Sequence, residues 1–86
     1  PFAATVLSIF QLGKKLYGHD WAAKNKSGAL NPNGGSIAIG HPLGATGGRL
    51  MLNLVHALRK NPKGRYGMLA ACAGGGMGAA MVVERR

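Results

Sequence analysis

Two side chains in this sequence are both reactive and set in glycine-rich stretches. The imidazole of His41 lies within Asn31-Pro-Asn-Gly-Gly-Ser-Ile-Ala-Ile-Gly-His-Pro-Leu-Gly-Ala-Thr-Gly-Gly-Arg49. The thiol of Cys72, the only cysteine, opens Cys72-Ala-Gly-Gly-Gly-Met-Gly78. An imidazole exchanges protons near neutral pH, so it can serve as a general base or a hydrogen-bond donor. A thiolate is a nucleophile, and bare backbone N–H groups beside it can stabilise either the thiolate or an oxyanion. Residue chemistry alone therefore reads Cys72 as a nucleophile, His41 as its base and Gly74-Gly75-Gly76 as a source of N–H donors. The simpler readings are a structural loop histidine and a small buried apolar cysteine. The settings argue against both: Pro42 fixes its own φ and holds His41 extended, and Cys72 stands at the end of an apolar run of strand length. His19, in a polar loop, and His56, within an amphipathic helix, have no such setting and are given no role.

The elements that must position these groups can be read from hydrophobic period and turn chemistry. Phe2, Val6, Ile9, Phe10 and Leu16 follow helical spacing, with Lys14 and Lys15 near the end and Gly18 as a stop, which predicts a helix over 2–17. Residues 19–29 have no period and read as an exposed loop, in which Trp21 packs against the preceding helix. Asn31-Pro-Asn-Gly-Gly35 is turn chemistry, and Ser36–Ile39 is read as a short buried strand leading into the His41 turn. Leu50, Met51, Leu54, Val55 and Leu58 form one stripe of a second helix over 45–60, ended by Asn61-Pro-Lys-Gly64. Two apolar runs, 66–71 and 79–83, should pair as an antiparallel hairpin with Cys72 at its mouth. The order helix, strand, helix, strand, strand implies a layered α/β structure.

Gly40-His41-Pro42 and Cys72-Ala73-Gly74 resemble the Gly-His-Pro and Cys-x-Gly segments of thiolases, and the likeness runs from Asn31 to the end almost without gaps. Pro1–Thr5 looks like the helix that follows the Asn-Glu-Ala-Phe motif of that family, with the Asn and Glu lost just upstream. The resemblance implies a C-terminal fragment: residues 1–86 as the C-terminal portion of the thiolase C-terminal domain. Its fold would be the later part of a thiolase-fold half, a layered α/β unit with a mixed sheet ending in an antiparallel hairpin. Without the first strands and helix of that half it would be incomplete as an isolated domain. The implied activity of the parent is acyl-CoA acyltransfer, the reversible Claisen condensation or thiolysis of a 3-ketoacyl-CoA with CoA.

The resemblance also changes the roles. It places the acylated cysteine in the absent N-terminal half and makes Cys72 the acid/base that removes or returns the α-proton of the acyl-CoA. It makes His41 the activator of that missing nucleophile and a donor to the enolate oxygen in one oxyanion hole. The N–H of Gly74 would share in the other. The fragment alone is expected to be inactive. No bound cofactor is expected; coenzyme A and acyl-CoA enter as substrates. The parent is expected to be a homo-oligomer, a dimer or tetramer.

Composition bounds the alternatives. Eighty-six residues, 47% hydrophobic, allow one small domain with a modest core. No initiating Met and no signal peptide are visible, and no apolar run reaches the roughly 18 residues that span a bilayer. A lone cysteine forms no internal disulfide and fits a reducing compartment, so the expected location is the cytoplasm of a bacterium or an organelle matrix, not the secreted space. The formal charge of +9 favours anionic partners, phosphate-bearing cofactors and nucleic acid alike.

A basic nucleic-acid-binding module is therefore one alternative. Its signature, aromatics interleaved with basic residues, is met only by Trp21 and Tyr66, and no nucleic-acid partner is expected. A non-catalytic or lipid-transfer thiolase relative is another, against which the retained Cys72 argues. Gly74-x-Gly76-x-x-Ala79 fits a relaxed dinucleotide fingerprint, but the chain reaches Arg86 without the long helix or the acidic residue about 20 positions on that such a site needs. Three histidines and one cysteine have no metal-ligand spacing, so no metal is expected.

Overall fold

A computed structural model describes residues 2–86, so Pro1, at the head of the proposed first-helix motif, lies outside the described residues. The chain divides into two compact units, one running to His41 and the other spanning Pro42–Arg86.

The N-terminal unit is built from local contacts. Helix α1 covers Ala3–Tyr17, matching the expected 2–17 within one residue. It ends because Gly18 adopts a left-handed φ of 67°, which lets Gly18 N–H donate to the Lys14 carbonyl and His19 N–H to the Gly13 carbonyl, both at 3.2 Å. Part of the expected 19–29 loop is instead helix α2, Trp21–Asn25. Its cause is the Asp20 carboxylate, which accepts from Ala23 N–H at 2.9 Å and caps the first turn. Trp21 does pack on the preceding helix: its ring lies so close to buried Gly13 that a Cβ there would stand 2.6 Å from Cε3. His19 stacks beside it, with ring centroids 6.5 Å apart.

Ser36–Ile39, expected as a strand, is a four-residue helix, α3. Nor is it buried, since Ile37 and Ile39 are both exposed; a short apolar run suits either form by period, and the partners its backbone groups find decide. Among the described residues no strand lies beside it in this unit, and its N–H groups find carbonyls one turn back: Ala38 and Ile39 N–H both donate to Gly35 O, and Gly40 N–H to Ser36 O.

The C-terminal unit packs one helix on one hairpin. Helix α4, Thr46–Lys60, starts one residue later than expected and carries Leu58, which is 8% exposed, toward the sheet. Strands β1, Tyr66–Ala73, and β2, Met77–Glu84, pair antiparallel from Tyr66↔Glu84 to Ala73↔Met77, and are the two strands of the sheet among the described residues. Leu54 and Leu58 press on Gly67 so closely that a Cβ there would lie 2.5 Å from Leu54 Cδ1. Glycine is needed at that position for the approach, not for its φ. At the far end, Arg85 N–H donates to Arg65 O at 2.8 Å, and the Arg85 guanidinium donates to the carbonyls of Asn61 and Pro62, fixing the turn that ends α4.

The result is an α/β chain of helices and an antiparallel hairpin with very little interior. Leu58 is the one buried hydrophobic side chain among the described residues, while Leu7, Leu16, Met68 and Val82 are each more than 60% exposed.

Candidate active site

His41 ends the N-terminal unit, and Cys72 and Gly74 belong to the C-terminal one. Each unit delivers its reactive group by a different local device.

Cys72 is the penultimate residue of β1 and is exposed. Alternation along the strand puts half-buried Gly67, Leu69 and Ala71 toward α4 and Tyr66, Met68, Ala70 and Cys72 on the opposite face. Its partner across the ladder is Gly78, which has no side chain to cover the thiol. The chain then turns through Gly74-Gly75-Gly76, and φ values of 79° and 75° at Gly75 and Gly76 require a left-handed pair that glycine supplies without strain. Nothing lies within 4 Å of where a Gly74 Cβ would be. The thiol and the bare Gly74 backbone are therefore brought together at one open end of the hairpin. A ligand carbonyl can approach both a proton-transfer group and a backbone segment free of side chains.

His41 is half-buried and follows Gly40, whose φ of 117° is closed to other residues. The residue bonded to its C-terminal side, Pro42, has its carbonyl held by three donors: Ala45 N–H and Thr46 N–H at 3.0 Å, and Thr46 Oγ1 at 2.9 Å. Thr46 is 3% exposed, the most buried polar side chain among the described residues. Sequence reading passed over it. The available signal was a Thr four residues after Pro42 at a helix start, the spacing at which a hydroxyl reaches the i−4 carbonyl.

Among the described residues no group of three or more His, Cys, Asp or Glu side chains is placed to hold a metal ion. No helix among them is long and apolar enough to cross a membrane.

The sequence matches the family described as thiolase, C-terminal domain, over residues 2–85. It is 42% identical over 84 residues to a protein of Arabidopsis thaliana named 3-ketoacyl-CoA thiolase 1, peroxisomal, covering 92% of this chain and 19% of the relative. It is 45% identical over 84 residues to the acetyl-CoA acetyltransferase of Escherichia coli (strain K12), covering 98% and 18%. It is 42% identical over 94 residues to the mitochondrial trifunctional enzyme subunit beta of Homo sapiens, covering 96% and 19%. The chain spans about a fifth of the length of these curated relatives. No solved structure gives a significant match. With a family match that takes in nearly every residue, including both glycine-mounted reactive groups, the chain belongs to the thiolase C-terminal domain family.

Proposed function

We propose that this chain is the C-terminal portion of the thiolase C-terminal domain in an acyl-CoA acyltransferase that interconverts 3-ketoacyl-CoA plus CoA with two acyl-CoAs. In the condensing direction the Cys72 thiolate takes the α-proton of an acyl-CoA. The resulting carbanion attacks the carbonyl of an acyl group held on a second cysteine outside this chain, a C–C bond forms, and that cysteine leaves as a thiolate. His41 activates the second cysteine and donates to the enolate oxygen, while Gly74 N–H contributes to the oxyanion site of the acyl carbonyl. The substrates are CoA thioesters, and the whole protein works as a homo-oligomer. Relatives named as peroxisomal and mitochondrial, and one from a bacterium, fit an organelle matrix or a bacterial cytoplasm.

The observation that carries the reading is the exposed Cys72 thiol two residues from the open Gly74 backbone, in a chain of this family. The exposed leucines and methionines fit a chain whose remaining core is supplied by other parts of the protein. The 86-residue chain by itself should then show no loss of acetoacetyl-CoA absorbance with CoA above the uncatalysed rate.

The decisive experiment is Cys72→Ala in the full-length protein. Turnover should fall by about 10² to 10⁴, the usual worth of one acid/base group, while mass spectrometry after acetyl-CoA treatment still shows an acetylated protein. An unmodified protein would return Cys72 to the role of nucleophile.

A further inference from the structure

We infer that Asn31 is the positioning residue of the His41 turn, acting through its side chain as well as its backbone; for catalysis this rests on the role proposed above for His41. Asn31 is the one non-glycine residue with positive φ among the described residues, at 47°. Its amide lies flat on buried Gly35: a Cβ at Gly35 would stand 2.8 Å from Asn31 Nδ2, 2.9 Å from Cγ and 3.0 Å from Oδ1. Asn31 O accepts from Gly34 N–H at 2.9 Å, closing the turn. Gly34 is covered in the same way by Ile39, whose Cδ1 would lie 3.1 Å from an added Cβ.

The Gly34-Gly35 backbone is thus contacted by the Asn31 amide at Gly35 and by the Ile39 side chain at Gly34. From Gly35 the chain is fixed without a break: its carbonyl receives Ala38 and Ile39 N–H at 3.2 and 3.0 Å, Ser36 O receives Gly40 N–H at 3.0 Å, and His41 follows. Asn31 itself is exposed, so its side chain adds little burial. What it adds is a contact that sets where α3 begins, and α3 with Gly40 sets where the imidazole points.

Glycine separates the two contributions. It adopts φ near 47° more easily than asparagine but brings no amide. In the full-length protein, Asn31→Gly should lower the kcat for thiolysis by about tenfold or more, the scale of effect that misplacing a reacting group produces, with KM for acyl-CoA within about twofold. Asn31→Asp, which keeps the shape of the side chain and tolerates left-handed φ, should recover much of that loss. Wild-type kcat in Asn31→Gly would make Asn31 a turn residue only and overturn the inference.

A second readout is independent of activity. In protein labelled at histidine, the His41 ring resonance should shift and broaden in Asn31→Gly, while those of His19 and His56 stay in place. Gly35→Ala, whose methyl displaces the amide from the opposite side, should give the same change should the first variant fail to fold. An unmoved His41 resonance in a folded variant overturns the inference even if the whole protein proves to have no thiolase activity, an outcome that would instead sink the proposed function.

Discussion

The two units mount a reactive side chain in opposite ways. In the C-terminal unit the position of Cys72 follows from register: eight strand pairs from Tyr66↔Glu84 to Ala73↔Met77 set it opposite Gly78, and Arg85 N–H to Arg65 O adds a bond across 20 residues. In the N-terminal unit the described backbone bonds outside the helices are short in sequence, such as His19 N–H to Gly13 O across six residues. A ladder shares any disturbance over many bonds, because slipping it by one residue would turn every side chain to the wrong face. Consecutive turns place His41 through short-range contacts near it in sequence, whereas Cys72 is placed by the register of a whole hairpin.

The largest test of this contrast is His41→Ala in the full-length protein. On the roles proposed for His41, acylation and carbon–carbon bond formation should both fall, each by on the order of 3 kcal/mol, about a hundredfold or more, because one imidazole would serve as base in the first and donor in the second. His41→Asn should recover part of bond formation from a pre-acylated protein and none of the acylation, since an amide donates but is not basic. Acylation by His41→Ala at the wild-type rate, followed in a single turnover with acetyl-CoA, would leave His41 as an oxyanion donor only.

Next in size is the same small change made in each unit. At Gly67 a methyl meets two side chains under the sheet, half-buried Leu54 and buried Leu58, and Gly67→Ala should cost about 1 to 3 kcal/mol. At Gly13 a methyl meets the Trp21 ring on a five-residue helix with an exposed outer side, and the ring can swing away. Gly13→Ala should cost less than Gly67→Ala, because alanine also favours the helix by about 1 kcal/mol over glycine. Amide exchange in β1 and α1 of the two variants reads the difference directly. Equal losses of protection would mean that the N-terminal unit is as tightly packed as the hairpin.

The smallest effect expected is that of Thr46→Val, which keeps the shape but removes the Oγ1 donation to Pro42 O. A neutral hydrogen bond of this kind is worth about 1 kcal/mol. The thermal midpoint should drop by a few degrees, with Cys72 alkylation by iodoacetamide unchanged. A changed alkylation rate would show that the start of α4 is coupled to the open end of the hairpin within the C-terminal unit.

Much of this architecture was legible in the chain. The apolar stripe of α4, the stop at Gly18, the hairpin and its glycine turn are encoded by residues within a few positions of one another, so period and turn chemistry recover them. The same holds for the place of Cys72 and Gly74 at the hairpin turn, because a glycine triplet between two apolar runs is turn chemistry. Asp20 carried a cap signal before Trp21-Ala-Ala-Lys, but α2 is too short to show a period, and 19–29 therefore reads as a loop in the sequence.

Ser36–Ile39 was not. Its four residues suit a strand or a helix equally, and the choice fell to where their N–H groups found carbonyls, at Gly35 and Ser36 and not on a neighbouring strand. The burial of Thr46, the closeness of Gly67 to Leu54, and the seat of the Asn31 amide on Gly35 were also decided only in three dimensions. Sequence alone determined which side chains have reactive chemistry and which glycine-rich turns carry them, since those depend on residue type and local φ. The tertiary structure decided what holds each turn in place, because a contact between residues apart in sequence exists only once the backbone between them has chosen its path.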